Sequence, residues 1–314
     1  MAIANKKMLW NKLGLVKSFV GEFPWSKTHA TIPTPYLVNA DVIRVFTSSM
    51  DGQGRCRPSY VDVSSSNPLE IVSYSREPIM DLGAPGDFDD NGVVCLSIIS
   101  PEHGKLWMYY AGFEICQNIR YRIFTGLAIS EDNGVSFKRL SRVPVLDRSD
   151  SESFFRCGSF VMFDKGKYRL WYVAGNSWTE INGKSMPVYD LRYQESNNGI
   201  DWDPLGTISL PITNKDEHGF GRPWIVKESE NSYKLFYSIR SRSLSSYKLG
   251  YAESNNGINW ERKDELMGLG LSSEGFDSKG IMYSSIININ ERMYCFYNGN
   301  NFGEDGFGIA ELIK

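Results

Sequence analysis

Two segments of the chain share a motif in which phenylalanine and aspartate precede a glycine and a β-branched residue. The motif reads FDDNGV at residues 88–93 and FDSKGI at residues 276–281. Carboxylates that share one cavity raise one another's pKa, so that one can be protonated while another is ionised. A protonated and an ionised carboxylate together are the groups that cleave or transfer a glycosyl unit. Asp89 and Asp277 are therefore candidates for acid–base chemistry.

Glutamates stand at comparable places before two further apolar segments. Glu152 precedes one segment and Glu217 precedes the other, and either could serve as the second acid of a pair. The predicted catalytic residues are Asp89, Glu152, Glu217 and Asp277. We predict no cofactor and no metal, because the chain has neither a CxxC pair nor a Cys and His cluster with ligand spacing.

Basic and aromatic residues near the same segments could hold a substrate. An arginine can bind a carboxylate or a phosphate through two parallel hydrogen bonds, and a tryptophan offers a flat face to a sugar ring. The predicted substrate-binding residues are His29, Asp90, Arg156, Trp178, His218, Arg222 and Glu274. If the strands that follow them converge, these residues and the acids would surround a single polar cavity.

A structural role is the alternative for these residues. An aspartate before a glycine-containing corner commonly accepts hydrogen bonds from backbone amides. The repetition of the Phe-Asp motif is also expected of a feature that builds the fold. Glutamates in polar loops are usually solvated, and a histidine at the start of a strand more often bonds the backbone than catalyses.

An internal repeat indicates which elements position these residues. Three segments read DNGVSF, NNGIDW and NNGINW, with glycines at 134, 199 and 257, so the spacings are 65 and 58 residues. A period of this size is typical of stacked or radially arranged units. Aromatic or apolar runs that end in a small residue recur at 45–48, 107–112, 170–175, 235–238 and 295–299.

The repeat predicts an all-β fold, a five-bladed β-propeller of four-stranded antiparallel blades in one domain spanning residues 1–314. Units of about 60 residues divide the chain into about five. The aromatic runs would be second strands, the segments before them inner strands, and the Asn-Gly turns links between third and fourth strands. Segment 9–20 would complete the last blade, so that an N-terminal strand closes the ring.

Composition excludes several classes of function. The formal net charge is −3 and the basic residues are scattered, which argues against a nucleic-acid surface. No segment has the length and apolar character of a membrane span or a signal-peptide core. The five cysteines are widely spaced and mostly lie in apolar runs, which is typical of reduced, buried thiols and predicts a cytoplasmic protein. The sequence does not indicate an oligomeric state.

The chain resembles the superfamily of five-bladed propellers that contains glycoside hydrolase families 43, 32, 62 and 130. The resemblance spans essentially the whole chain and rests on the repeat period, the FDDNGV segment, the WMYYAG run at 107–112 and the SNNGI turns at 196 and 254. More narrowly, the chain is similar to uncharacterised propeller proteins encoded with surface-polysaccharide genes. It is also similar to the propeller part of plant glucosamine inositolphosphorylceramide transferases.

The resemblance implies roles for particular residues. In families 43 and 32 an aspartate opens the first blade, a second aspartate lies on blade two, and a glutamate from a later blade is the acid. By this resemblance Asp89 would be the second aspartate, and Glu152 or Glu217 would be the acid. The first blade departs from the pattern, because no carboxylate lies between residues 26 and 38 and only His29 is available there.

The resemblance also implies a carbohydrate-active protein with a carbohydrate or sugar-phosphate substrate in a central pocket. Its activity would be glycoside hydrolysis, phosphorolysis or glycosyl transfer. The missing first-blade carboxylate supports the alternative, which is a non-catalytic carbohydrate-binding or polysaccharide-assembly module.

Overall fold

Strands make up almost all of the regular structure. The structure, a computed structural model, describes residues 6–244 and 246–313. These residues form twenty β-strands and two short helical turns, Asp264–Leu266 and Asn300–Gly303. The all-β prediction is therefore confirmed. Neither helical turn in the described ranges has the length or the apolar character that a membrane-spanning helix needs.

The strands succeed one another in antiparallel sets, and one further strand, β1 (Trp10–Lys17), precedes them. The first set is β2 (Thr28–Asn39), β3 (Val42–Met50), β4 (Cys56–Ser64) and β5 (Ile71–Tyr74). The second is β6 (Val93–Glu102), β7 (Lys105–Ile115), β8 (Tyr121–Ser130) and β9 (Lys138–Arg139). The third is β10 (Phe155–Asp164), β11 (Lys167–Ile181), β12 (Lys184–Ser196) and β13 (Thr207–Leu210). The fourth is β14 (Glu217–Ser229), β15 (Ser232–Ser241), β16 (Tyr247–Ser254) and β17 (Glu261–Arg262), and the last is β18 (Met282–Ile289), β19 (Arg292–Asn298) and β20 (Phe307–Leu312).

Backbone pairing joins the sets into three sheets. The first set forms its own sheet, and the last set forms another with β1 added beside β20. The middle sets are continuous, because short parallel contacts link β8 to β10 and β12 to β14. The first strands of the sets, β2, β6, β10, β14 and β18, contact one another in that order, and β18 contacts β2. We call these five strands the inner strands.

The repeated Asn-Gly turns connect the third and fourth strands of the second, third and fourth sets, as predicted. Each turn also docks on the set before it. The Tyr109 hydroxyl donates to the carbonyl of Gly199 (2.8 Å), and Trp171 Nε1 donates to the carbonyl of Gly257 (2.6 Å). The aromatic ring that follows the turn at 134 enters the same boundary, where Phe137 packs against Phe46 with ring centroids 5.9 Å apart. The repeat therefore builds the apolar contact between neighbouring sets.

Strand β1 lies along the outer edge of β20. The pairing runs antiparallel from Trp10 opposite Leu312 to Lys17 opposite Phe307. The buried indole of Trp10 donates to the carbonyl of Met267 at 2.7 Å. Segment 9–20 thus contains a strand beside the last set, as expected from the sequence. The number of blades and the closure of a ring stay predictions, taken up under the proposed function.

The cysteines are all unpaired, as expected of reduced thiols, and four of them are buried: Cys56, Cys95, Cys157 and Cys295. Burial raises the pKa of the first three thiols to about 12 and raises that of the fourth as well. Because the thiolate is the reactive form, we expect iodoacetamide at mildly alkaline pH to modify only Cys116 in the native protein. Intact-mass analysis should show one adduct, and five after denaturation. Two or more adducts on the native protein would contradict this expectation.

Candidate functional site

A cavity lies where the inner strands begin. It encloses about 290 Å³ and is lined by residues of every inner strand. Among them are Thr31, Val94, Cys157, Gly221 and Tyr283. We call it the central cavity. Its position agrees with the expectation that the starts of the inner strands meet at one place.

The inner strands have irregular backbone beside the central cavity. Antiparallel pairing shifts register in all five of them. Ile32, Arg222 and Tyr283 have positive φ angles of 56°, 36° and 56°, and Gly158 has a φ of 66°. All four residues line the cavity. Non-glycine residues in this conformation cost energy, and both such strain and β-bulges concentrate at functional sites.

Aromatic rings and arginines dominate the cavity wall. The aromatic residues are Phe113, Tyr121, Phe155, Tyr189, Tyr247, Tyr283 and Phe302. The charged residues are Arg120, Arg222 and Arg240, and no carboxylate lines the cavity in the part of the chain that the structure describes. Flat rings and guanidinium groups without an acid can bind an oxygen-rich ligand, but they do not supply the acid–base pair of a glycosidase.

Arg222 is buried and connects four inner strands. Its Nη1 donates to the carbonyls of Pro33 (2.9 Å) and Tyr283 (3.2 Å). Its Nη2 donates to the hydroxyl of Thr34 (2.7 Å) and, at 3.4 Å, to the carbonyl of Leu96. Its Nε has no hydrogen-bond partner among the described residues. Burial lowers the pKa of this guanidinium to about 9, so it still carries its charge at neutral pH.

Arg240 and tyrosine hydroxyls form a second polar group in the wall. Arg240 Nη1 donates to Tyr189 Oη at 3.0 Å, and the hydroxyls of Tyr189 and Tyr247 lie 3.1 Å apart. The Arg240 guanidinium carbon lies 5.0 Å from the centre of the Tyr247 ring. Burial raises the pKa of both tyrosines well above its ordinary value, so both remain O–H groups at neutral pH. This part of the wall therefore presents hydrogen-bond donors.

Asp89 is fully buried just before β6, but it does not line the central cavity. Its Oδ2 accepts hydrogen bonds from the Tyr110 hydroxyl (3.0 Å) and from Arg139 Nε (2.7 Å), while Oδ1 has no partner in residues 6–244 and 246–313. Phe88 stacks on Tyr110 with ring centroids 5.9 Å apart. Because Tyr110 is in β7 and Arg139 in β9, the aspartate ties the start of the second set to its second and fourth strands.

Asp277 repeats this arrangement in the last set. Its Oδ2 accepts hydrogen bonds from the Tyr297 hydroxyl (2.9 Å) and from Lys12 Nζ (2.6 Å). Phe276 stacks on Tyr297 with ring centroids 5.8 Å apart. Lys12 belongs to β1, which takes the place beside β20 that β9 has in the second set. The Phe-Asp motif thus forms the same corner in both sets.

Glu152 has the densest set of contacts among the predicted acids. Its Oε2 accepts hydrogen bonds from Arg156 Nε (2.5 Å) and the Tyr172 hydroxyl (2.8 Å). Its Oε1 accepts from Arg192 Nη1 and the amide of Gly206, both at 3.0 Å. The side chain is fully buried, so these contacts replace water around the carboxylate.

Glu217 is held by an arginine of the fourth set. Its two oxygens accept hydrogen bonds from Arg262 Nη1 (2.8 Å) and Nη2 (2.7 Å). The same Nη2 donates to Asp264 at 2.6 Å, and Asp264 accepts a hydrogen bond of 2.6 Å from the Tyr237 hydroxyl. Tyr237, in the second strand of the set, is thus linked to Glu217 through Asp264 and Arg262.

The predicted acids therefore occupy comparable positions in different sets. Each precedes or begins an inner strand and is paired with a basic residue of its own set or of β1. None of them lines the central cavity. The structure holds these carboxylates in ion pairs outside the wall of the central cavity, and their catalytic assignment stays a prediction.

Most of the predicted substrate-binding residues also lie outside the wall, and only Arg222 is in it. Arg156 is occupied with Glu152, and Asp90 accepts a hydrogen bond from a backbone amide (2.8 Å). Glu274 is exposed. Trp178 packs behind the wall, with its ring centroid 5.7 Å from that of Tyr121.

The two predicted histidines bond the backbone. His29 Nε2 lies 3.0 Å from the carbonyl of Asn301, and His218 Nδ1 lies 3.0 Å from the carbonyl of Pro187. Burial lowers the pKa of both imidazoles, which favours their neutral forms at neutral pH. These contacts agree with the structural alternative for histidines at the start of a strand.

Sequence reasoning missed the other charged residues of the wall, Arg120 and Arg240. One signal was present, because Arg240 follows the aromatic run of its set beyond the small residue Ser238. Residues at the corresponding ends of the other second strands, such as Met50 and Phe113, also reach the cavity. An arginine at this position of the repeat therefore indicates a charge in the wall.

One curated relative matches nearly the whole chain, and another matches less than half of it. No family model matches it. Protein Rv1502 of Mycobacterium tuberculosis (strain ATCC 25618 / H37Rv), described as uncharacterized, is 30% identical over 305 residues, which are 97% of this chain and 99% of the relative. A 1,2-beta-oligomannan phosphorylase of Thermoanaerobacter sp. is 28% identical over 138 residues, 42% of this chain and 46% of the phosphorylase.

Solved structures share the fold at low sequence identity. A thermostable family-43 glycoside hydrolase superposes with a TM-score of 0.62 and 16% identity, covering 91% of this chain and 90% of its own. The catalytic domain of a GH62 alpha-L-arabinofuranosidase from Coprinopsis cinerea has a TM-score of 0.65 and 11% identity, and covers 98% of both chains. The chain therefore belongs to the family of protein Rv1502 and has the β-propeller fold of family 43 and 62 glycoside hydrolases.

Proposed function

We propose that the protein is a five-bladed propeller that binds carbohydrate in its central cavity. The proposal rests on the composition of the cavity wall. The wall combines aromatic rings with arginines, and no described residue that lines it has a carboxylate. Aromatic faces can stack on sugar rings, and guanidinium groups donate hydrogen bonds to oxygen atoms. The volume of about 290 Å³ lies at the small end of ligand pockets. Such a volume favours a ligand group of one or two rings.

The five blades of the proposal are the five antiparallel sets. Its support is the cycle of contacts among the inner strands, in which β18 contacts β2. The pairing of β1 with β20 would complete the last blade and close the ring. Blades arranged around an axis in this way leave only short, protected sheet edges, so few sites remain for unwanted strand pairing.

We further propose that the protein binds sugar without hydrolysis by a carboxylate pair. Such hydrolysis needs two carboxyl groups on either side of one glycosidic bond, about 5–9.5 Å apart. No carboxylate of the described chain lines the central cavity, and Asp89 and Glu152 are each held by a tyrosine and an arginine of their own set. The fold alone does not restore this chemistry, because one fold carries many functions.

Phosphorolysis or glycosyl transfer is the second candidate. The similarity to an oligomannan phosphorylase over 138 residues favours it. The unpartnered Oδ1 of Asp89 leaves that carboxylate one free acceptor. On this alternative, Asp89→Asn abolishes turnover of a sugar 1-phosphate or a nucleotide sugar without lowering the melting temperature.

A binding screen tests the proposal. The protein is titrated with neutral and anionic mono- and oligosaccharides, and the best ligand is then measured with Tyr121→Ala in the cavity wall. We expect this variant to bind about five- to tenfold more weakly, because one stacking face is lost. The control is Phe163→Ala, since that ring is 61% exposed and lies outside the wall. No binding by any sugar, or equal affinity of the Tyr121 variant, would refute the proposal.

A further inference from the structure

We propose that the central cavity recognises a negatively charged group on its sugar, a phosphate or a carboxylate, through Arg240 and the tyrosine hydroxyls beside it. This inference rests on the proposed function, since it names the class of sugar that the same cavity would hold. Three independent features of the wall support it: unneutralised positive charge, an excess of donors, and an additional arginine at the surface.

The first feature is positive charge without a carboxylate partner. Other buried arginines of the described chain are paired with acids, as in Arg44 with Asp62 at 2.8 Å and Arg169 with Asp164 at 3.0 Å. Arg222 instead bonds neutral carbonyl and hydroxyl oxygens. A charge removed from water usually has a counter-ion or an equivalent ligand. Among the described residues no carboxylate takes this role for Arg222, whereas the other buried arginines each have one.

Arg240 shows the same lack of a counter-ion. Its hydrogen bond goes to the neutral hydroxyl of Tyr189, and none of the ion pairs among the described residues includes it. Its guanidinium has five N–H groups in a planar fork. One donates to Tyr189, so others are available for a planar or tetrahedral anion that enters the cavity.

The second feature is the direction of the hydrogen bonds. The Tyr189 oxygen accepts from Arg240, and one hydrogen bond of 3.1 Å joins the Tyr189 and Tyr247 hydroxyls. Because each hydroxyl carries one hydrogen, a row of hydroxyls that continues from Tyr189 and Tyr247 to Tyr283 still leaves one hydrogen free to donate. A guanidinium and a phenol that both donate match a ligand oxygen that only accepts, as in phosphate or carboxylate.

The third feature is Arg120, which is exposed and also lines the cavity. Its guanidinium carbon lies 5.5 Å from the centre of the Tyr121 ring. A positive charge at an accessible part of the wall raises the local concentration of anions and accelerates their association. The attraction is screened by salt. Binding of a charged sugar should therefore weaken as ionic strength rises, while binding of a neutral sugar should not.

Calorimetric titration of matched ligands tests the inference. The probes are glucose, glucose 6-phosphate, glucuronate and inorganic phosphate, followed by the same series built on mannose and galactose. The proteins are the full chain, Arg240→Gln and the control Arg242→Gln, which removes an exposed arginine that does not line the cavity. We expect the charged members of one series to bind at least tenfold more tightly than the neutral sugar. Arg240→Gln should weaken charged ligands about ten- to a hundredfold and the neutral sugar by a much smaller factor.

The outcomes separate this inference from the proposed function. Preference for the phosphate or for the uronate identifies which anion the cavity takes, and either supports the inference. Equal affinity for charged and neutral sugars, or an equal loss of both in Arg240→Gln, overturns the inference and leaves sugar binding intact. Binding of inorganic phosphate that depends on Arg240, without binding of any sugar, supports the anion site and refutes the proposed function. No binding of phosphate or of any sugar overturns both.

Discussion

Removal of residues 1–17 is expected to leave a protein that aggregates instead of folding. The deletion removes β1 and exposes the N–H and C=O groups along the edge of β20. It also removes the buried side chain of Trp10, a loss of about 3–5 kcal/mol for a large aromatic residue. Asp277 then stays buried without its partner Lys12, and a buried acceptor left unsatisfied costs about 1–3 kcal/mol. The sum is comparable to the whole stability of a typical domain, about 5–15 kcal/mol.

Size-exclusion chromatography and thermal unfolding followed by circular dichroism measure this effect. The control is a deletion of residues 1–5, which takes nothing from the strand. A peptide of residues 6–20 added to the shortened protein should restore part of the folded fraction, because it supplies the missing strand. A monomeric 18–314 protein that melts within a few degrees of the full chain would show that β1 is dispensable and that the proposed ring closure is wrong.

The architecture could be predicted because its signals are periodic. The Asn-Gly turns recur at nearly constant spacing, and the structure places them between third and fourth strands. The aromatic runs form second strands in every set, from Val45–Ser48 in β3 to Cys295–Asn298 in β19. Because the same pattern recurs in several units, each unit supports the interpretation of the others, and a wrong assignment at a single turn does not change the predicted fold. The number of blades stays a prediction that these pairings support.

The site could not be predicted in the same way, because it depends on where single side chains point. The Phe-Asp motif was expected at the start of inner strands, but Phe88 and Asp89 precede β6, whose first residue is Val93. Their side chains reach Tyr110 within the same set, and not the cavity. Sequence spacing shows that an acid is near the start of a strand, but a corner of a few residues decides which way it faces.

The cavity wall depends on backbone irregularities that the sequence does not reveal. Arg222 and Tyr283 line the cavity with positive φ angles of 36° and 56°, which neither residue type favours. Such a conformation persists only where the surrounding structure enforces it. For Arg222 the enforcing contacts come from other inner strands, at Pro33 and Thr34. These contacts form only once the strands have converged, so local sequence gives no sign of them.

Replacement of Glu152 by alanine is expected to destabilise the protein by about 3–5 kcal/mol, whether or not the protein has a catalytic activity. The substitution leaves the guanidinium of Arg156 buried without its carboxylate, and removes the acceptor of Arg192 Nη1 and of the Gly206 amide. Unpaired buried charges and donors lose their hydration without a replacement. Glu152→Gln keeps the size of the side chain and one of its two acceptor oxygens, and should cost less than the alanine substitution. Urea unfolding followed by tryptophan fluorescence gives the free energies.

The matched control is Glu274→Ala, which removes an exposed glutamate and should change the free energy of unfolding by less than about 0.5 kcal/mol. The comparison distinguishes the two readings of Glu152, because a catalytic acid that serves only the reaction can be removed without loss of stability. The contrary result is that Glu152→Ala unfolds at the same urea concentration as the unsubstituted protein and eliminates a turnover that this protein performs. In that case Glu152 is a catalytic acid, and the structural account of the carboxylates is wrong. We expect a large loss of stability in Glu152→Ala, a smaller loss in Glu152→Gln, and sugar binding by the folded fraction of Glu152→Gln. This result would show that Glu152 stabilises its set of strands and that the ligand is bound by the arginines and tyrosines of the central cavity.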